Sequence, residues 1–191
     1  MEIIVGFLVL FFLSGIIALL VRSLNKKAMS EFIAKLANFD ASQQIINGNS
    51  GFAFDEQRKK VCLIENTYGT IKARVVNYKD LLSSEIHEDG QTIMRTSRSS
   101  QIGGAIVGGV LLGGVGAVIG GLSGKTVSAD KVRRIEVLIT VNDTAQPLHS
   151  LTFLDIETSK GGFVYNESIK HARHLHALID VLIKQADADV K

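Results

Sequence analysis

Glu167, His171 and His174 stand at i, i+4 and i+7 in the stretch NESIKHARHLHALIDVLIKQ. That spacing stacks three metal-ligating groups on one helix face. A metal ion needs a completed shell, yet no second ligand cluster supplies one and His176 points elsewhere. Polar residues opposite an apolar stripe are ordinary on a surface helix, so no metal is expected. The stretch GGLSGKT nearly spells a phosphate loop. Such a loop needs Gly, four residues, then Gly-Lys-Ser/Thr, and its first glycine would fall on Ile119. Starting from Gly120 leaves the loop one residue short, so its amides would not close around a phosphate. Asp155, ending LTFLD, imitates a Walker B carboxylate, but without alternating strands and helices no parallel sheet would place it beside the loop. Gly114, Gly116 and Gly120 make GxGxxxG, a weak variant of the dinucleotide fingerprint. Glycine recurs on both sides of it, and Glu136, at the distance of the acidic ribose partner, sits in a basic strand pattern. No nucleotide is expected.

Cys62 lies in a strand pattern with no histidine nearby in sequence, which makes it a buried structural thiol. Asp80, Glu85, Glu88 and Asp89 surround a turn, where carboxylates are common, and no nucleophile motif accompanies them. There is no catalytic constellation, so neither an enzyme nor a cofactor is expected.

The elements that carry these residues explain more than the residues do. A chain of 191 residues has room for one compact domain with attachments. Its net charge of +2 exerts no general pull toward nucleic acid, and the absence of tryptophan leaves few platforms for base stacking. A single cysteine allows no intrachain disulfide and suits a reducing compartment. The run IIVGFLVLFFLSGIIALLV, Ile3 to Val21, carries no charge, and about 20 apolar residues cross the hydrocarbon core. Only Glu2 precedes it, whereas Arg22, Lys26 and Lys27 follow. The run therefore reads as an uncleaved anchor with its N-terminus outside and the rest of the chain starting in the cytoplasm.

Next, KKAMSEFIAKLANFD places Met29, Phe32, Ile33 and Leu36 at helical spacing, and this stripe is expected to pack on the following domain. From about Gln43 the period shifts toward two. GFAF and VCLIE flank a polar hairpin turn from Asp55 to Lys60. In TIKARVVNY, Ile71, Ala73 and Val75 share one face, with Lys72, Arg74 and Val76 on the other. LLSSEIHEDGQTIMRTS pairs around Asp89-Gly90, and KVRRIEVLITVND pairs with PLHSLTFLD. The closing segment carries Ile169, Ala172, Leu175, Ile179, Leu182 and Ile183 at spacings of three and four, with Asn166 or Ser168 as its expected N-cap.

The order of these elements resembles the pleckstrin-homology-like domains of bacterial membrane proteins. The likeness rests on GFAFDEQRKKVCLI, VVNYKDLLSSEIHEDG, KVRRIEVLITVND and the closing helix, and covers roughly residues 43 to 186. Membrane-bound bacterial and prophage proteins of this type can carry a glycine-rich apolar insertion between strands. The resemblance implies a curved antiparallel sheet capped by one helix. It implies no particular ligand, because ligands vary widely across that family.

GGAIVGGVLLGGVGAVIGGLSGK would be that insertion. Gly104, Gly108, Gly109, Gly113, Gly116, Gly120 and Gly124 form overlapping GxxxG pairs, which in lipid give a helix a flat strip for close packing. In water the same glycines would each weaken a helix by about 1 kcal/mol relative to alanine. Both flanks are basic, so both belong in the cytoplasm, and the tract should enter the bilayer and return near Leu112 to Gly116. Each arm of about ten residues would reach roughly 15 Å, half the hydrocarbon depth.

The expected fold class is α+β. An N-terminal transmembrane helix (1–22) and a juxtamembrane amphipathic helix (23–42) precede a PH-like, partly open barrel (43–101 and 125–186) closed by a C-terminal helix. A glycine-zipper hairpin (102–124) interrupts the strands, and 187–191 form a tail. Arg58, Lys59, Lys60, Arg95, Arg98, Lys125, Arg133 and Arg134 are the candidate contacts to lipid headgroups, each worth about 1 kcal/mol near an anionic leaflet. The sequence thus points to a non-enzymatic adaptor in a bacterial inner membrane, self-associating or inserting through its glycines. The alternative is a pore-forming or membrane-perturbing defence or superinfection-exclusion protein. Expected partners are membrane lipids, further copies of the chain and an unidentified protein; nucleic acid, metal and cofactor are not expected.

Overall fold

The computed structural model describes residues 2–98 and 130–189. Its first element, α1, is a continuous helix from Glu2–Ala34 that runs through the expected border between anchor and juxtamembrane segment. Its 33 residues span about 50 Å at 1.5 Å per residue, well beyond the ~30 Å hydrocarbon core. The stretch Val9–Ala34 is long and apolar enough to cross a membrane, with none of its most apolar window buried. The far end behaves differently. Met29 and Ile33 are sealed from solvent in a core with Phe39, Ala53, Cys62 and Ile64, while Phe32 stays at the surface. One helix therefore carries an exposed apolar length and a packed foot.

That foot rests on an antiparallel sheet of four strands in the order β1-β2-β3-β4: β1 (Gln43–Asn47), β2 (Ser50–Asp55), β3 (Lys60–Thr67) and β4 (Thr70–Asn77). The face under α1 is set by register, with Gly51 opposite Ile64 and Ala53 opposite Cys62. Phe52, Phe54, Val61 and Leu63 on the other face are buried as well. Small residues let the helix come close. A Cβ on Gly51 would lie 2.8 Å from Ile64 Cγ2 and 3.0 Å from Ile46 Cγ1. Alternation in β4 fails at its end: Val75 is exposed and Val76 half-buried, against the assignment of Val75 to the inner face.

The chain divides into two compact units, Met1–Val75 and Val76–Lys191. The second unit opens with a 3-10 turn, Tyr78–Asp80, and holds a four-stranded antiparallel sheet in the order β6-β5-β7-β8. Its strands are β5 (Leu81–Glu88), β6 (Gln91–Ser97), β7 (Lys131–Val141) and β8 (Leu148–Ser159). Asp89 and Gly90 join β5 to β6 with φ of 48° and 81°, the positive pair a tight hairpin turn needs. Val132, Ile135, Val137, Ile139 and Val141 all face the core. The odd step from Val132 to Ile135 is absorbed by register shifts between β7 and β8. Helix α2, Phe163–Ala188, covers this sheet with Ile169, Ala172, Leu175, Ile179, Leu182 and Ile183. It begins earlier than its expected cap. Gly162 is the N-cap and lends no side chain, whereas Asn166 Nδ2 donates back to Gly161 O at 2.9 Å and Ser168 is buried within the helix.

Candidate functional site

The pairing of β5 with β7 matters most. Glu88 stands opposite Ile135 and Leu81 opposite Val141, so strands that precede and follow the glycine tract are neighbours in one sheet. Arg98 and Asp130, the described residues on either side of the tract, therefore emerge from the same body. The zipper glycines Gly104, Gly108, Gly109, Gly113, Gly116, Gly120 and Gly124, and Lys125 with them, lie outside the described residues.

The basic residues proposed for headgroups are placed among carboxylates. Arg58 binds Asp55 at 2.9 Å, Arg95 binds Glu85 at 3.2 Å and Arg98 binds Asp187 at 3.1 Å. Arg133 and Lys131 converge on Glu157 at 2.9 and 2.6 Å, and Arg134 reaches Glu136 at 3.0 Å. Arg98 also donates to the carbonyls of Lys79 and Tyr78, which ties β6 to the 3-10 turn. Lys59 holds a left-handed turn conformation at φ 51°, and Lys60 Nζ donates to Asn38 O at 3.4 Å. The five arginines are each paired with a carboxylate, so the field they present to a leaflet is weaker than a bare count of cations implies.

The acidic group is equally occupied. Asp80 accepts from Asn77 N and Nδ2, both at 3.1 Å, as a turn cap. Asp89 Oδ1 accepts from the backbone N–H groups of Arg133 and Arg134 at 3.0 and 2.8 Å, pinning the β5–β6 turn to β7. Glu88 accepts from the Tyr165 hydroxyl at 2.6 Å and pairs with Lys160 at 3.0 Å. Burial, reinforced by Glu88, pushes the Tyr165 phenol up to about 12. Burial raises the Glu85 carboxyl, but His87, Arg95 and Thr92 more than offset this and leave it lowered. Asp80 and Asp89 fix turns and Glu88 a strand end, while Glu85 sits mid-strand in a cluster with Arg95, His87 and Thr92.

Two arrangements escaped the reading of the sequence. His176 lies off the face of Glu167, His171 and His174, as its spacing requires, and is buried, with Nδ1 3.0 Å from Ser84 Oγ and Nε2 3.3 Å from Thr96 Oγ1. A serine beside a histidine is the core of an acyl-transfer site. Here Ser84 is 0% exposed and no substrate can reach it, so the pair ties α2 to β5 and β6. Burial lowers the His176 pKa, with Asp180 opposing the shift only in part. The second arrangement is Asp55, which opens the polar hairpin turn read from the sequence and is fully buried. It accepts from Asp40 N at 2.8 Å, Arg58 N at 2.9 Å and the Arg58 guanidinium at 2.9 Å. Burial alone would raise its pKa; these donors together hold it below the ordinary carboxylate value.

Cys62 is buried, and burial pushes its thiol up to about 12, so it is no nucleophile. His171 lies 3.9 Å from Glu167, an exposed pair one helical turn apart. Among the described residues no three His, Cys, Asp or Glu side chains are placed to hold a metal ion.

An apolar helix long enough to span a bilayer, two antiparallel sheets and a closing helix define a PH-like protein with an N-terminal membrane-span candidate. A family model described as the glycine zipper containing PH domain matches residues 40–155, and the chain belongs to that family. It is 32% identical over 126 residues to an immunity protein of Bacillus phage SPbeta, an alignment covering 61% of each chain. It is also 32% identical over 126 residues to an SPbeta prophage-derived uncharacterized membrane protein of Bacillus subtilis strain 168, covering 61% of this chain and 54% of that one. The chain thus spans less than two thirds of the length of either relative. No solved structure matches it.

Proposed function

We propose that this chain is a non-enzymatic binding protein of a bacterial cytoplasmic membrane, held there by α1, with its PH-like body in the cytoplasm and its glycine tract driving self-association in the bilayer. The pairing of β5 with β7 carries the reading. With both ends of the tract issuing from one sheet, a single crossing would tear that sheet across the membrane. A tract that enters must return, and small residues at GxxxG spacing are what let two apolar segments pack backbone to backbone in lipid. Kinship with a protein named as a phage immunity protein supports a setting in which a resident prophage's product acts against a second phage. Replacing Gly108, Gly113 and Gly120 with leucine should abolish crosslinked oligomers in membranes; undiminished oligomers would count against the zipper.

The same kinship favours a second reading, in which the assembled tracts perturb the membrane as the means of exclusion. Dye leakage from vesicles carrying the wild-type protein, lost in the leucine variant, would select it. Intact vesicles would leave the passive adaptor.

A further inference from the structure

We propose that the first unit grips a single anionic phospholipid in a groove where α1 leaves the bilayer. The proposal rests on α1 being a membrane anchor. An open groove of about 720 Å³ runs between α1 and the two hairpin turns β1–β2 and β3–β4. Its helix wall is Val21, Arg22, Leu24 and Asn25, which is where the uncharged run ends and the first cation appears. Lipids are the molecules at that height, so the occupant follows from the groove's position.

The chemistry of the walls suits one half of a phospholipid on each side. Val21 and Leu24 are exposed apolar residues continuous with the lipid-facing length of α1 and offer a track for an acyl chain. The polar end is built from carboxamides. Asn25 Nδ2 donates to Gly48 O at 2.8 Å and to Asn49 Oδ1 at 3.0 Å, and its own Oδ1 accepts from Asn66 Nδ2. This net fixes the turns against the helix and sets amide groups along the polar wall of the groove. No carboxylate lines the groove, and Arg22 makes no ion pair among the described residues. A lone unanswered guanidinium beside amide groups matches a phosphodiester.

Tyr68 marks the same spot by its strain. It occupies the first turn position of the β3–β4 hairpin at φ 51°, where glycine or asparagine would sit without cost, and it is fully exposed to solvent. A bulky aromatic kept in a left-handed turn is poorly explained by folding. At a headgroup it has a use, since tyrosine rings favour the membrane–water interface.

The full chain, reconstituted in vesicles of phosphatidylcholine with one-fifth phosphatidylglycerol and then released in mild detergent, should retain phosphatidylglycerol above its bulk share when examined by native mass spectrometry. Arg22→Gln should cut that retention roughly tenfold, the scale of one charge-assisted contact. Tyr68→Asn should also reduce it while relieving the turn, so labelling of Cys62 stays as slow as in the wild type and misfolding is ruled out as the cause. Excess inorganic phosphate should leave the lipid in place; displacement by phosphate would overturn the lipid as ligand. Equal retention by wild type and both variants would overturn the groove. Alkaline carbonate extraction, run on the same vesicles, separates the two layers: release of the protein would overturn the anchor itself, whereas firm retention without lipid enrichment would overturn the groove alone.

Discussion

Replacing Asp55 with alanine tests how the foot of α1 is fastened to its sheet. The carboxylate joins the loop after the helix, through Asp40 N, to the β2–β3 turn, through Arg58 N and the Arg58 guanidinium. Removing one partner of a buried, hydrogen-bonded charge costs about 3–5 kcal/mol. Part of that is recovered here, because the Arg58 side chain is 44% exposed and can take up water. The two orphaned N–H groups, at about 1 kcal/mol or more each, remain, which leaves about 2–4 kcal/mol for Asp55→Ala. Asp55→Asn keeps the shape and one acceptor and should lose about half as much. The chain supplies its own reporter. Cys62 is the only cysteine, lies in the core beneath α1 and is shielded from reagent by its burial. Its reaction with a small maleimide in detergent-solubilised protein therefore follows the opening of this unit. A loss of 2–4 kcal/mol raises the labelling rate by about 30- to 800-fold, with Asp55→Asn in between. A change below about threefold in Asp55→Ala, under roughly 0.7 kcal/mol, would refute the assignment of Asp55 as the fastening.

Gly51→Ala should destabilise the same unit by about 1–3 kcal/mol, because its Cβ would press on Ile64 and Ile46, and Cys62 labelling should rise accordingly. The second unit should weaken with acid through His176. Its native pKa lies below the ordinary 6.5, so the folded chain binds fewer protons than the unfolded one; stability is whole above 6.5 and falls as pH drops toward the native pKa, by at most about 1.4 kcal/mol per unit. Amide exchange of α2 between pH 7 and 5 reads this. The groups facing His176 are Ser84 on β5, Thr96 on β6 and Asp180 on α2. His176→Gln should flatten that part of the pH dependence.

Much of the fold was legible because its signals are periodic. Strands β2 to β8 were readable from alternation and from turn residues such as Asp89-Gly90, and the stripe of α2 from steps of three and four. Anything that depends on a distant partner was not. His176 continues the stripe Ile169, Ala172, His176, Ile179 and Ile183, so its direction was within reach of the spacing; its partners Ser84 and Thr96, far away in sequence, which make that burial tolerable, were not. Asp55 resembled any turn carboxylate because its Arg58 donors lie within the turn, while the donor that joins it to the loop after α1, Asp40 N, is distant in sequence. The charge pairs were hidden for the same reason: Glu157 answers Lys131 and Arg133 from the neighbouring strand, and the side-chain hydrogen bonds from these two, Lys131 first, lower its pKa. The N-cap of α2 was misplaced because a glycine with no side chain serves there. The groove at Arg22 could not be read at all, since it exists only once two turns meet a helix.

The proposed topology puts the strands before and after the glycine tract on one side of the membrane. Cysteines placed singly at the exposed residues Gln91 and Thr144 of the second unit test it with a membrane-impermeant maleimide on intact cells, against Glu2→Cys at the other end of the anchor. Labelling is expected at position 2 and none at 91 or 144 until the cells are opened. Labelling of 144 with 91 still protected would place the two strands on opposite faces and contradict it.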